Sequence, residues 1–423
     1  MGAEASASIG LMETTMWLLG SICSATAAGF YVQVSHQLGS NDPARARSTL
    51  RQGIMSVLVV SALLGLVSLA VSPFLPTWLG GNSHITPTAS AYFAIVATAL
   101  PIFQFSIFGA GMLRSSGNMV VPSVMSVVMM SLDVVFNFFL IFPTRPVELF
   151  STQIMMPGMG LGVVGAAIGT VSAELVAASI TMYILCFRSK ELSLRIDTGR
   201  FLPTWGVVKR ALHISLPMGL QQTIMCSAYV MTTIIIAPLG TFAIAANSFG
   251  IIIESLCYMP GYGIADAATT LVGQSMGAGR HELMKRFAWL SVGLGVTVMA
   301  VMGVVMYVGA PTAMAMMTPA EEVRRLGVEV LRIEAFAEPM FAAAIVSYGV
   351  FVGAAKTLVP SIMNLVSIWG VRISLAAMLA PSMGLRGVWI AMCIELCFRG
   401  LIFLVKLKFW NIQTSCKHYG KDQ

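Results

Sequence analysis

The sequence predicts an all-α membrane protein, a polytopic helical bundle of about 11 transmembrane helices in two pseudo-symmetric lobes of five and six. Three observations carry that expectation. Hydrophobic residues fill 57% of 423 positions and charged residues only 10%, whereas a soluble domain has about a quarter charged. Mean hydropathy is +0.83, more apolar surface than a water-facing exterior can hide. The apolar runs are continuous over about 20 residues, the length that crosses hydrocarbon, and do not alternate as barrel strands do.

Taken in order, the runs cover approximately 10–33, 51–72, 90–113, 119–142, 162–187, 211–236, 243–273, 288–309, 329–352, 359–380 and 385–409. Their loops alternate in charge. One set holds Arg45, Arg47, Arg51, Arg114, Arg188, Lys190, Arg195, Arg200, Lys209, Arg210, Arg280, Lys285, Arg286 and Lys356, and the tail adds Lys406, Lys408, Lys417 and Lys421. The opposite loops hold only Arg145, Arg324, Arg325, Arg332 and Arg386. Basic loops stay on the cytoplasmic side, which puts the C-terminus in the cytoplasm of a cell (inner) membrane. The net charge of +7 thus reads as orientation and not as a nucleic-acid surface. The Cys residues show neither zinc spacing nor a disulfide framework; Cys393 and Cys397, four apart, are expected to touch.

An internal repeat sets the domain organisation. VVPSVMSVV at 120–128 matches LVPSIMNLV at 358–366, and HQLGSND at 36–42 matches QSMGAGR at 274–280, both at an offset of 238. GVVGAAIG at 162–169 resembles GLRGVWIA at 384–391. The expected division is an N-terminal lobe at 1–187, a polar cytoplasmic linker at 188–210, a C-terminal lobe at 211–409 and a cytoplasmic tail at 410–423. The run at 211–236 has no counterpart in the first lobe. A six-plus-six chain whose opening helix precedes Met1, through a start assigned downstream or a truncation, would give this pattern.

At these residues the chain resembles the multidrug and toxic compound extrusion (MATE) family. VSHQLGSNDPARARSTLRQG and LVGQSMGAGRHELMKRFAWL are similar to its paired cytoplasmic loops, and FGAGMLRSSGNMVVP and YGVFVGAAKTLVP to its paired loops ending in Pro. SLPMGLQQ, YMPGYGIADAATTLVGQ and FAEPMF look like its second-lobe helices. The resemblance implies a secondary active antiporter that exports cationic or amphipathic small molecules, such as drugs and toxic metabolites. Exchange would be against Na⁺ or H⁺, by alternating access, with no cofactor. It implies a monomer in the lipid bilayer, working on a small-molecule substrate with no nucleic acid.

Ionisable groups inside a membrane are costly, so each is a candidate site. Asp133 and Asn137 lie four apart on one helix, as do Thr170 and Glu174 on the next, which gives each pair one face. The family often carries Asn before Asp here; this chain inverts the order. Glu254 and Glu338 are second-lobe acids, and Pro260 and Pro339 nearby free backbone carbonyls. These six residues are the expected site for a coupling proton or Na⁺, with no other metal. Gln221, Gln222, Asp266 and Arg372 are candidates for the substrate cavity, Arg372 being expected to pair with Glu338 or Glu334. Glu395 and Arg399, four apart, are expected to form a local ion pair.

Two alternatives stand beside the antiporter. A flippase of a lipid-linked saccharide would need basic residues for a pyrophosphate, but only Arg372 and Arg399 lie away from the ends of the apolar runs. A truncated, non-functional transporter is the other. An enzyme is not expected, since no P-loop, dinucleotide-binding glycine pattern or nucleophile–base motif occurs.

Overall fold

A computed structural model describes residues 3–81, 84–149 and 152–410; the tail at 411–423, with Lys417 and Lys421, lies outside the described residues. Nine helices are long and apolar enough to cross a membrane, and two bent helix pairs raise the number to 11 among the described residues. The chain divides into two compact units, one of residues 1–38 and 42–216, the other of 39–41 and 217–423.

The first unit contains α1 (Ala3–Gly39), α2 (Pro43–Val71), a single turn α3 (Leu75–Trp78), α4 (Thr86–Thr98), α5 (Leu100–Ser115), α6 (Val120–Ile141) and α7 (Gly162–Tyr183). α4 and α5 are one broken span, bent by 48°, with Pro101 in the first turn of α5 where a missing N–H does no harm. Between α6 and α7 runs an antiparallel hairpin, β1 (Pro143–Leu149) and β2 (Thr152–Met159). The apolar runs gave no sign of it.

α6 illustrates how a spanning helix sorts its faces. Val120, Val124, Val127, Met130 and Val134 recur at helical spacing and stand exposed, Val120 at 71%. In water such a stripe would be an aggregation surface; hydrocarbon tolerates it. Toward α7 the helix presents Asn137, whose side chain lies where a Cβ on Gly169 would stand, so only glycine lets the two helices meet there.

The polar segment 189–204 is strapped to the first turns of α2. Buried Arg47 bonds the Asp197 carboxylate and donates to the Glu191 carbonyl at 3.0 Å. Buried Arg51 donates to the carbonyls of Asp197 and Leu194. The side-chain oxygen of Gln52 accepts from the Thr204 N–H at 2.8 Å and its hydroxyl at 2.9 Å. Both arginines counted among the cytoplasmic loop charges are therefore buried structural residues. α8 (Trp205–Ile236) then leads into the second unit, which begins at Pro217 inside that helix.

The second unit continues with α9 (Thr241–Gly277), α10 (His281–Met317), α11 (Glu321–Glu334), α12 (Glu338–Gly353), α13 (Leu358–Val366), α14 (Ser374–Met383) and α15 (Leu385–Lys408). α13 and α14 are joined by a π-helical stretch, Ser367–Ile373. α11 and α12 are the second broken span, bent by 59°.

The sequence repeat persists in the backbone. α1 ends at Gly39 and α9 at Gly277; α5 runs over Leu100–Ser115 and α12 over Glu338–Gly353; α6 starts at Val120 and α13 at Leu358. Each pair differs by 238. The left-handed residues correspond too: Asn41 (φ 61°) with Gly279 (φ 67°), and Gly117 (φ 82°) with Ala355 (φ 56°). A Cβ on Gly65 would fall 2.8 Å from the Ala97 carbonyl oxygen, and one on Gly303 would fall 2.7 Å from that of Ala335. Both contacts hold a helix against the break of a bent span.

Candidate cation sites in each helical unit

In the first unit the four predicted residues lie on adjoining helices. Asp133 and Asn137 on α6 each keep a buried side-chain oxygen (Oδ1) without a hydrogen-bond partner among the described residues. Glu174 on α7 is buried, and the hydroxyl of Ser106 on α5 lies near its carboxylate. Asp133 lies within its electrostatic reach. Thr170 is half-buried, one residue from the Gly169–Asn137 contact. Two further groups join them: Tyr92 on α4 is within electrostatic reach of both Asp133 and Glu13 on α1. Glu13 was legible, being an acid inside the first apolar run, but the four-residue spacings drew the reading elsewhere.

The second unit concentrates more charge. Glu334 closes α11 and Glu338 opens α12, so the two carboxylates flank the 59° break. Both residues are 1% exposed, and all four of their carboxylate oxygens are buried without a hydrogen-bond partner among the described residues. Polar groups so placed are rare in proteins, because each forfeits its hydration without recompense. Glu254 on α9, also buried, interacts electrostatically with both. Pro339 lies in the first turn of α12 at the break, while Pro260 sits inside the continuous α9. The sequence offers Glu334 only as a partner for Arg372 and not as a coupling acid, because it ends EEVRRLGVEVLRIE, a stretch charged enough to pass for a solvated face.

Arg372 departs from expectation. It pairs with neither Glu338 nor Glu334: its Nε and Nη2 both donate to Oε2 of Glu395, at 3.0 and 2.8 Å. Arg399 donates to Oε1 and Oε2 of the same carboxylate, each at 2.8 Å, as the four-residue spacing predicts. The Ser367 hydroxyl adds a 2.5 Å bond to Oε1. Glu395, fully buried, thus joins the π-helical stretch to α15 and outcompetes the two acids because it offers two guanidiniums and a hydroxyl one shared partner.

The remaining candidates lie apart from this cluster in sequence. Gln221 is buried with its carbonyl oxygen unpartnered, and Gln222 is half-buried. Asp266 is half-buried and engaged, roughly 18 Å farther along α9 than Glu254 at 1.5 Å per residue. Cys393 and Cys397 are free, half-buried cysteines whose thiols lie near one another. Among the described residues no group of three or more His, Cys, Asp or Glu side chains is arranged to hold a metal ion.

Comparison with known proteins agrees with this architecture. The family model MatE matches residues 1–139 and 217–378, one stretch in each half of the chain. The "Probable multidrug resistance protein NorM" of Thermotoga maritima is 23% identical over 407 residues, covering 95% of this chain and 84% of its own. Its namesake in Chromobacterium violaceum is 27% identical over 398 residues, covering 92% and 82%. Among solved structures, "Crystal structure of MATE in the straight conformation" aligns with a TM-score of 0.89 at 19% identity, covering 99% of this chain and 90% of that one. "Outward-facing conformation of a multidrug resistance MATE family transporter of the MOP superfamily" aligns at 0.86 and 19%, covering 96% and 88%. The chain therefore belongs to the MatE family, the multi-pass membrane transporters of multidrug and toxic compound extrusion.

Proposed function

We propose that this family member is a cation-coupled antiporter, exporting cationic or amphipathic small molecules in exchange for Na⁺ or H⁺ by alternating access. The observation that carries the proposal is the pair Glu334 and Glu338, with four buried carboxylate oxygens and no hydrogen bond to any of them among the described residues. Two ionised carboxylates in a low-dielectric interior are strongly unfavourable unless a positive charge joins them. A proton or Na⁺ supplies that charge, and its binding biases whichever conformation exposes the acids. One unit charge moving across 100 mV contributes about 2.3 kcal/mol, so a membrane gradient is sufficient to drive the cycle. Asp133, Asn137, Thr170 and Glu174 form the second candidate ion site, in the first unit. The orientation proposed is the one the loop charges favour, with the C-terminus in the cytoplasm of the inner membrane.

The flippase alternative requires cations free to hold a pyrophosphate. Arg372 and Arg399 are both committed to Glu395, which favours a cationic cargo. The test uses purified full-length protein in liposomes loaded with ethidium. An imposed Na⁺ or proton gradient is expected to accelerate dye movement at least about tenfold over a membrane without gradient. Equal rates under both conditions would reject ion coupling.

A further inference from the structure

The second unit contains more buried charge than an ion site needs. Four glutamates (Glu254, Glu334, Glu338, Glu395) share two arginines, and both arginines rest on Glu395. That carboxylate receives five donor contacts, while Glu334 and Glu338 receive none among the described residues. The distribution is lopsided although Arg372 is within electrostatic reach of Glu334 and Glu254.

We propose that Arg372 is the built-in counter-ion of this site, resting on Glu395 while Glu334 and Glu338 hold a cation or proton and transferring to Glu334 and Glu254 when that charge departs. The inference rests on the ion-coupled reading given above.

Three features single out Arg372 from Arg399. Arg399 shares α15 with Glu395, grips both of its oxygens, and lies over the Phe341 ring at 5.6 Å. Arg372 comes from another segment and places both donors on one oxygen, forgoing the two-oxygen fork that makes arginine–carboxylate pairs strong. When Arg372 leaves, Glu395 keeps three donors, two from Arg399 and one from Ser367, so no bare charge remains on that side. Finally, Arg372 sits in a π-helical stretch. Such a turn carries one residue more than α register and is often found at functional sites. Returning one residue to α register rotates a side chain by about 100° around the axis, which re-aims a long guanidinium without unfolding the helix.

Charged and titratable groups around Arg372 and the acids it would exchange between are Tyr229 on α8, Glu254, Cys257, Tyr258 and Tyr262 on α9, Glu334 on α11, Glu338 on α12, and Cys393, Glu395, Cys397 and Arg399 on α15, with Arg372 itself. The only positive charges in that set are Arg372 and Arg399. An emptied site therefore draws on Arg372 or stays uncompensated.

The experiment measures ethidium efflux from liposomes containing the full chain, against Na⁺ at fixed pH and against pH without Na⁺. Arg372→Gln removes the surrogate cation, so the driving ion should bind more tightly. The ion concentration at half-maximal rate should fall at least about tenfold, the effect of one unit charge a few ångström away, and turnover should drop because release is slowed. Glu395→Gln frees Arg372 to compete, and the same midpoint should rise by a similar factor. Structural damage would move both variants in one direction, and midpoint shifts of like sign, or none, overturn the proposal. Where a Gln variant fails to reach the membrane, Arg372→Lys and Glu395→Asp carry the same opposed expectation at smaller amplitude. Glu338→Gln is the control for the underlying reading. If its ion dependence equals that of the unaltered protein, both the site and this inference fall; if it loses ion dependence while the opposed shifts are not seen, only the role of Arg372 falls.

Discussion

The two helical units share a scaffold and differ in what they bury. Their helix ends, span breaks, left-handed corners and tight glycines recur at one offset. Their charges do not. At that offset Glu254, Glu334, Glu338 and Arg372 fall on Met16, Val96, Leu100 and Val134, and Asp133 falls on Val371. The first unit holds a half-buried Asp133 and a Glu174 with a serine hydroxyl near its carboxylate. The second holds two acids without a hydrogen bond among the described residues beside a saturated ion cluster. Duplication thus preserved the positions where backbones must approach, while each half acquired its own polar groups. The half with the less relieved charge is the one expected to respond most to an ion.

That contrast can be broken most directly by activity. Glu338→Gln is expected to abolish gradient-driven ethidium efflux, whereas Asp133→Asn should lower it by about tenfold or less, since Asp133 is only half-buried and its charge is less costly to leave uncompensated. Equal losses in liposome assays would show that the halves contribute alike. Glu395→Ala should have the largest effect on stability, about 3–5 kcal/mol, because it leaves the buried Arg399 and the half-buried Arg372 without their shared partner; thermal unfolding in detergent reads it. Glu174→Ala should cost less by the same measurement.

The shared scaffold is sharpened by a matched pair. Gly65→Ala and Gly303→Ala each drive a methyl into a carbonyl, at 2.8 and 2.7 Å, and should each destabilise by about 1–3 kcal/mol. Only Gly303→Ala should also alter efflux, since its new methyl would stand 3.2 Å from Cβ of Glu338, whereas the Gly65 counterpart meets Leu100. The smallest effect is expected at the corner where the repeat departs from glycine. Ala355 holds φ at 56°, and Ala355→Gly should stabilise by about 1 kcal/mol by relieving that strain, again by thermal unfolding.

Much of the scaffold was legible because lipid imposes a simple code. Continuous apolar runs marked all 11 candidate spans among the described residues, the two bent pairs included, and repeated loop motifs marked the duplication. The hairpin was invisible, since PTRPVEL and TQIMMPGM carry neither strand alternation nor a tight-turn signature. The site was legible only in outline. Acids inside apolar runs flagged Asp133, Glu174, Glu254 and Glu338, but Glu334, at the charged start of its run, was flagged only as a partner for Arg372, and Glu13 lacked a polar partner at helical spacing. The partner of Arg372 was misjudged because residue spacing reports one helix at a time, and the choice between Glu338 and Glu395 is made by how α15 packs.

The belt that α2 fastens around residues 189–204 has a practical consequence. Arg195 and Arg200 stand exposed there and invite trypsin by their chemistry. A protease, however, must lift a substrate strand away from its support, and here that means tearing out two buried guanidinium anchors and the Gln52 clasp. Reporter tags and antibody epitopes grafted into this stretch face the same obstacle, so a label meant to leave the fold undisturbed belongs elsewhere on the chain.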